Sequence, residues 1–309
     1  MSFGHKNLFG LKDLSADEIL YLLDEAKAFR QILERDIKKV PTLRWLAVVN
    51  LFYEPSTRTR ISFELAEKRL SAEVVNFSKS GSSVAKGESL RDTVNNILAM
   101  KVDMVVVRHS SVGAPQFIHR ATGVPVINAG DGTNEHPTQA LLDLYTIREK
   151  FGQFNGLKVV ILGDIRHSRV ARSNIWGLKK LGAKVVLCGP KTLLPPNPDV
   201  FGVEYTTDIE EALAGAQVVN VLRLQLERQQ SGFIPSLREY RMFWGLTAER
   251  KKLLDPDHII MHPGPLNRGV EIDPDVADDT DAVILEQVTN GVAVRMAVLY
   301  TLAQKLREA

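Results

Sequence analysis

The stretch Trp45-Leu-Ala-Val-Val-Asn-Leu-Phe52, continued by Tyr53-Glu-Pro-Ser-Thr-Arg-Thr-Arg60, decides how the rest of the chain is read. Its first half is apolar and β-branched, the composition of a buried strand, and Pro55 ends that strand by fixing φ and withdrawing a backbone donor. Ser56 then takes the N-cap position of a helix over Thr57–Leu70. Ile61 with Leu65, and Phe63 with Ala66 and Leu70, recur at the spacing of one buried helical face. The first turn is therefore Thr57, Arg58 and Thr59. Free N–H groups and the positive end of the helix dipole bind an anion there. Arg58 and Arg60 add guanidinium forks that match phosphate oxygens in pairs. On this string alone a second reading stands beside the first: Ser56 caps the helix and the arginines are its solvated face.

Outward from this stretch, short apolar runs alternate with helical patterns. Val74–Phe77, Asp103–Val107 and Val124–Asn128 read as strands, and Leu90–Met100 and Ala114–Ala121 as helices, which makes βαβ units and a parallel sheet. Ahead of them, Ser15 and Glu18 form a capping box for an amphipathic helix carrying Ile19, Leu22, Leu23, Ala26 and Leu33. A helix from Pro137 to about Phe151, with Pro137 at the favoured first position, reads as a hinge. The alternation then restarts with strands Leu157–Leu162, Lys184–Leu187, Val218–Leu222 and His258–Met261, and helices Val170–Leu181, Ile209–Leu213 and Thr247–Leu254. The fold class is α/β, with two domains, each a parallel sheet flanked by helices. Pro195, Pro196 and Pro198 mark a loop, and Arg223–Arg241 is polar enough to read as a mobile substrate loop. Ligands collect at the carboxyl ends of parallel strands, where Arg108 and His109 follow one strand and Asn128–Asn134 another.

The chain has 309 residues, enough for two cores, and its 44% hydrophobic and 25% charged residues are those of a globular protein. A net charge of +2, with both signs interspersed, argues against a general nucleic-acid binder. No run has signal-peptide or membrane-span length, which points to the cytoplasm. The single cysteine, Cys188, lies in an apolar run and reads as a small core residue. Neither metal nor organic cofactor is expected, because the histidines are scattered and no H-E-x-x-H or C-x-x-C occurs. Gly81-Ser-Ser-Val-Ala-Lys-Gly-Glu-Ser89 places its lysine before the glycine and so is not a P-loop; it reads as an anion-covering loop or as an exposed turn. Gly163-Asp164 with Ser168 lacks the G-x-G-x-x-G dinucleotide pattern.

The longer string Phe52–Glu64, F-x-E-P-S-T-R-T-R-x-S-F-E, closely resembles the carbamoyl phosphate signature of the transcarbamoylase family. His136-Pro-Thr-Gln139, Arg223-Leu-Gln225 and His262-Pro-Gly-Pro265 follow in the order expected of that family's aspartate-accepting branch, so the resemblance spans almost the whole chain. It implies a carbamoyl phosphate domain over residues 1–150, an aspartate domain over 151–285, and a last helix, 286–309, that returns to the first. It implies that Ser56, Thr57, Arg58 and Thr59 hold phosphate and that Arg108 bridges phosphate and carbonyl oxygen. Gln139, Pro263 and Gly264 take the carbamoyl NH₂, and Arg169, Arg223 and Gln225 take aspartate. His136 would polarise the carbonyl. Its place at a helix N-terminus disfavours imidazolium and keeps a neutral donor, although a lone histidine is also read as structural. Ser82 and Lys86 would reach into a neighbouring subunit's site in a homotrimer. A regulatory chain or a dihydroorotase partner is left open, since Gly264 stands where chains of the regulated enteric type carry leucine. Ornithine carbamoyltransferases typically have lysine at the Glu54 position and H-C-L-P at His262–Pro265. Transfer to ornithine, or a non-catalytic paralogue, are the alternatives.

Overall fold

A computed structural model describes residues 3–78, 90–225 and 232–307. Ser82 and Lys86, with the rest of 79–89, lie outside the described residues, as does the stretch 226–231. The chain divides into two units, Met1–Leu142 with Thr289–Ala309, and Asp143–Val288.

In the first unit the capping box at Ser15 and Glu18 starts α1 (Ala16–Leu33), which buries Ile19, Leu22, Leu23, Ala26 and Leu33. Then follow β1 (Ala47–Phe52), α2 (Thr57–Arg69), β2 (Glu73–Ser78), α3 (Leu90–Ala99), β3 (Met104–His109), α4 (Ala114–Thr122), β4 (Val126–Asp131) and α5 (Pro137–Phe151). The sheet order is β2-β1-β3-β4 and every pairing is parallel. Val49, Leu51, Val105, Val107 and Val126 form its core with Val94 and Ile118 of the covering helices. Burial on both faces explains why β1, Asn50 apart, reads as an apolar run.

The second unit contains β5 (Lys158–Leu162), α6 (Arg169–Lys180), β6 (Lys184–Cys188), β7 (Glu204–Thr206), α7 (Ile209–Leu213), β8 (Val218–Val221), α8 (Leu237–Trp244), α9 (Ala248–Lys251), β9 (Ile259–Met261) and α10 (Pro274–Ala277). Its sheet runs β7-β6-β5-β8-β9, again parallel throughout. The chain passes between the units within α5 and returns within α11 (Ile284–Arg307). Among the described residues no helix is long and apolar enough to cross a membrane. Cys188 is a core residue beside Val160 and Val219, and burial pushes its thiol up to about 12, so it stays protonated and inert.

The structure departs from the sequence reading in three places. Ile61 and Leu65 are 47% and 40% exposed; the buried face of α2 is Thr59, Phe63, Ala66 and Glu67. Apolar residues at 61 and 65 share the period but lie on a different stripe. Arg223–Arg241 is not wholly a loop, for Ser236 caps α8 through Glu239 N–H and Tyr240 is buried. Strand β7 is a three-residue edge element, half-exposed, without the apolar signal of its neighbours.

Glu67 points inward from α2 with no exposed surface, and Asn50 Nδ2 donates to its Oε2 at 2.8 Å. Its Oε1 has no hydrogen-bond partner among the described residues. Burial pushes the carboxyl up to about 8, so it is neutral in the fold at pH values where it ionises in the unfolded chain. Stability from this group is fully present below the ordinary carboxyl range and is lost as pH rises through about 8. Glu67→Gln removes the dependence. The variant's advantage in urea unfolding should be larger at pH 8 than at pH 5 by about 3–4 kcal/mol. An equal difference at both pH values would mean that Glu67 is ionised in the native chain.

Candidate active site

In the first sheet the chain steps from β1 to β2 on one side, and β3 then returns to the other side of β1. Strand order therefore reverses between β1 and β3, the place where open α/β sheets leave a crevice beyond their carboxyl ends. Ser56 stands there at the N-cap of α2 in extended conformation, and its side chain makes no capping bond. That finding removes the reading in which Ser56 serves only as a cap. Thr57 and Arg58 are exposed in the first turn, Arg60 is half-buried, and Thr59 faces inward at 8% exposure. Arg108 sits where the pairing of β3 with β4 shifts register between Val107 and His109, an irregularity that re-aims a side chain. Its Nε lies 3.5 Å from Glu54 Oε2, with the two side chains 15% and 20% exposed. Tyr53 N–H donates to Arg108 O at 2.9 Å, so the loop after β1 and the end of β3 are one assembly.

The loop after β4 is built around Asp131, which has no exposed surface. Its carboxylate accepts from Asn128 Nδ2 at 2.8 Å, Gly113 N–H at 2.9 Å and Glu135 N–H at 3.1 Å. Glu135 in turn accepts from the backbone of Leu11 at 2.6 Å and Lys12 at 3.2 Å. The next residue, His136, is 3% exposed and immediately precedes α5, where Gln139 N–H donates to His136 O at 3.0 Å. Thus Ser56, Thr57, Arg58, Arg108, His136 and Gln139 all stand just beyond, or at, the carboxyl ends of β1, β3 and β4. Backbone donors, a helix N-terminus and guanidinium groups in that arrangement suit a phosphorylated anion with a polarisable carbonyl.

The second sheet reverses order between β5 and β8. Gly163, with φ 119°, ends β5 where an added Cβ would lie 2.9 Å from Tyr240 Oη, so only glycine lets the chain turn there. Asp164 is fully buried and accepts from His167 Nδ1 at 2.8 Å and from Gln225 N–H at 3.2 Å. Ser168 caps α6 through Ala171 N–H at 3.1 Å, and Arg169 is the first residue of that helix, 3% exposed. Arg223 and Gln225 follow β8 and are half-buried. One carboxylate therefore ties together the two loops that carry Arg169, Arg223 and Gln225. Pro263 and Gly264 follow β9 and are half-buried, with Gly264 at φ 64° in the left-handed region.

Sequence reading passed over Asp131, Glu135, Asp164, His167 and Glu271. A charged residue in a loop reads as solvated, and some donors to these groups come from distant segments: Gly113 N–H to Asp131, Leu11 and Lys12 N–H to Glu135, and Gln225 N–H to Asp164. The one available signal was position: Asp131 and Asp164 each follow directly on a predicted strand or its glycine.

Comparison with known proteins finds two family matches in succession along the chain. Residues 6–149 match the family described as "Aspartate/ornithine carbamoyltransferase, carbamoyl-P binding domain", and residues 155–302 match "Aspartate/ornithine carbamoyltransferase, Asp/Orn binding domain". The aspartate carbamoyltransferase catalytic subunit of Gemmatimonas aurantiaca is 60% identical over 298 residues, covering 96% of this chain and 93% of its own. The aspartate transcarbamoylase of Trypanosoma cruzi, solved with carbamoyl aspartate and phosphate, superposes with a TM-score of 0.86 at 29% identity, covering 97% of this chain and 96% of that one. The ornithine carbamoyltransferase of Pyrococcus furiosus superposes with a TM-score of 0.84 at 30% identity, covering 97% of each chain. With both halves matched in order and a relative this similar along nearly its full length, the chain belongs to the aspartate/ornithine carbamoyltransferase family.

Proposed function

We propose that this chain transfers the carbamoyl group of carbamoyl phosphate to the amine of L-aspartate, giving N-carbamoyl-L-aspartate and phosphate, a step of pyrimidine biosynthesis. The observation that carries the reading is that each sheet places a cationic, hydrogen-bonding set where its strand order reverses. The set in the first unit suits a phosphate and a carbonyl. The set in the second offers Arg169 and Arg223, two guanidinium groups for a dicarboxylate acceptor. Glu54 beside Arg108, and Arg223-Leu-Gln225 after β8, favour aspartate over ornithine.

In this reaction the amine nitrogen bonds to the carbamoyl carbon, the bond from that carbon to the phosphate oxygen breaks, and the amine proton passes to the departing phosphate. Ser56, Thr57, Arg58 and Thr59 hold the phosphate, with Arg58 stabilising it as it leaves. Arg108 and His136 draw charge onto the carbonyl oxygen, while Gln139 and the carbonyls of Pro263 and Gly264 hold the NH₂. Positioning and electrostatic stabilisation supply the rate without a covalent intermediate.

The active form is a homotrimer in which Lys86 and Ser82 of one subunit complete the site of the next. Ile61, Leu65 and Val75, exposed at 47%, 40% and 48% on α2 and the edge strand β2, support a protein surface there. The two acceptors are separated by one assay with aspartate and ornithine side by side, and faster turnover of ornithine overturns the assignment.

Arg58→Ala should lower kcat by about a hundredfold, the loss expected for one charge-stabilising donor; near-native turnover in a folded variant removes Arg58 from the phosphate. Arg223→Ala should raise the KM for aspartate while leaving that for carbamoyl phosphate within about twofold, because a charge-assisted bond to carboxylate is worth about 1.5–3 kcal/mol. A matching rise for carbamoyl phosphate would place Arg223 with the wrong substrate.

Sharing of sites between subunits has its own test. Lys86→Ala and Arg58→Ala subunits, each nearly inactive, are mixed in equal amounts after reversible dissociation. A cyclic trimer then regains about a quarter of its sites, those where an intact Arg58 faces an intact Lys86. Verified hybrids with no activity above the parents would return each site to a single chain.

A further inference from the structure

The turn His262-Pro-Gly-Pro265 at the end of β9 is held from beneath by a buried imidazole and a buried carboxyl group. Gly264 N–H donates to His262 Nδ1 at 2.8 Å. A ring nitrogen that accepts carries no proton, so the proton of the neutral ring is on Nε2, which faces Glu271 Oε1 at 3.2 Å. Both side chains are 0% exposed. Glu271 Oε1 also accepts from Asn267 N–H at 2.6 Å, so the same oxygen fixes the ring and the far limb of the turn. The backbone of His262 is anchored as well: its N–H donates at 2.9 Å to Gln287 Oε1, and Gln287 Nε2 donates at 2.8 Å to the buried Asp143. Ring, backbone and tautomer are each specified. The ring's one acceptor is spent on the amide of Gly264, the residue whose left-handed conformation shapes the turn.

We propose that His262 is a positioning residue for carbamoyl transfer: its Nδ1, oriented through Glu271, sets the Pro263–Gly264 backbone so that the turn's carbonyls accept the NH₂ of the carbamoyl group. The inference rests on the reading that gives Pro263 and Gly264 to that NH₂. A purely structural pair would lend stability without regard to which half of the imidazole is kept.

Asparagine and glutamine each reproduce one half of the ring. In His262→Asn, Oδ1 stands at the Nδ1 position and keeps the acceptor for Gly264 N–H, while the link to Glu271 is lost. In His262→Gln, the amide NH₂ reaches the Nε2 position and keeps Glu271, but Gly264 N–H loses its acceptor. Each variant gives up one buried hydrogen bond, so their thermal midpoints should fall together. The ligand readout separates them. Phosphonoacetamide carries the NH₂ of carbamoyl phosphate; 2-oxopropylphosphonate has a methyl group in its place.

In calorimetry on the full-length protein, His262→Gln should weaken phosphonoacetamide about tenfold, the value of about one hydrogen bond, and leave 2-oxopropylphosphonate unchanged. His262→Asn, which keeps the acceptor but not its orientation by Glu271, should weaken phosphonoacetamide clearly less than His262→Gln does and leave 2-oxopropylphosphonate unchanged. Equal weakening of phosphonoacetamide by the two variants overturns the role of Nδ1. Weakening of both ligands alike by His262→Gln overturns instead the assignment of the turn to the NH₂. If His262→Gln does not fold, Glu271→Ala and Glu271→Gln ask the same question. The alanine removes the oxygen that orients the ring and should lose phosphonoacetamide selectively, the glutamine keeps that oxygen and should not, and identical behaviour of the two overturns the proposal.

Discussion

Parallel pairing governs this molecule. A parallel strand cannot be joined to its neighbour by a tight turn, so each connection must cross back along a helix or a long loop, and every strand in a sheet then ends at the same edge. All seven ladders among the described residues are parallel. The carboxyl edge of each sheet thereby gathers chain segments remote in sequence: residues 53–60, 108–113 and 131–139 in the first unit, and 163–169, 222–225 and 262–265 in the second. Reversal of strand order beside β1 and beside β5 sends the flanking connections to opposite sides and leaves room between them. Chemistry at these edges follows from topology before any side chain is considered.

What the side chains add is rigidity, and buried carboxylates supply much of it. Asp131, Glu135 and Asp164 accept hydrogen bonds from backbone N–H groups, the amides of Asn128 and Asn134, and an imidazole. Burying a carboxylate is costly unless several donors converge on it. Convergence fixes a loop in one conformation, because moving any one donor strands the charge. Glu135, the residue before His136, accepts from the backbone of Leu11 and Lys12, and so the N-terminal segment braces the start of α5.

Strands were legible because burial on both faces leaves a run such as Ala47–Phe52 nearly without polar residues. The signal faded where that condition lapsed. Strand β7, at a sheet edge, reads Glu-Tyr-Thr, and α8 begins Leu-Arg-Glu-Tyr-Arg, with Tyr240 as its buried residue. Periodicity misled at Ile61 and Leu65, since a spacing of four marks a stripe without saying which way the stripe faces. The places of Thr57, Arg58, Arg108, His136, Arg169 and Arg223 beyond strand ends were legible. The groups that hold their loops were not, because a buried carboxylate bonded to backbone amides 61 or 124 residues away leaves no local pattern. Local rules fail most often where function has claimed the residue.

Tyr240 shows how an unread helix enters the same construction. Its ring is 1% exposed, its hydroxyl approaches Gly163 closely enough to exclude any side chain there, and it packs with Leu193 and Leu224. Burial, followed by the charges of Glu271 and Asp164, raises its phenol well above the ordinary range, so the group is neutral at every working pH. Those two carboxylates hold the loops after β5 and β8 and the turn after β9. Helix α8 thus enters the construction through Tyr240, whose hydroxyl closes the space over Gly163.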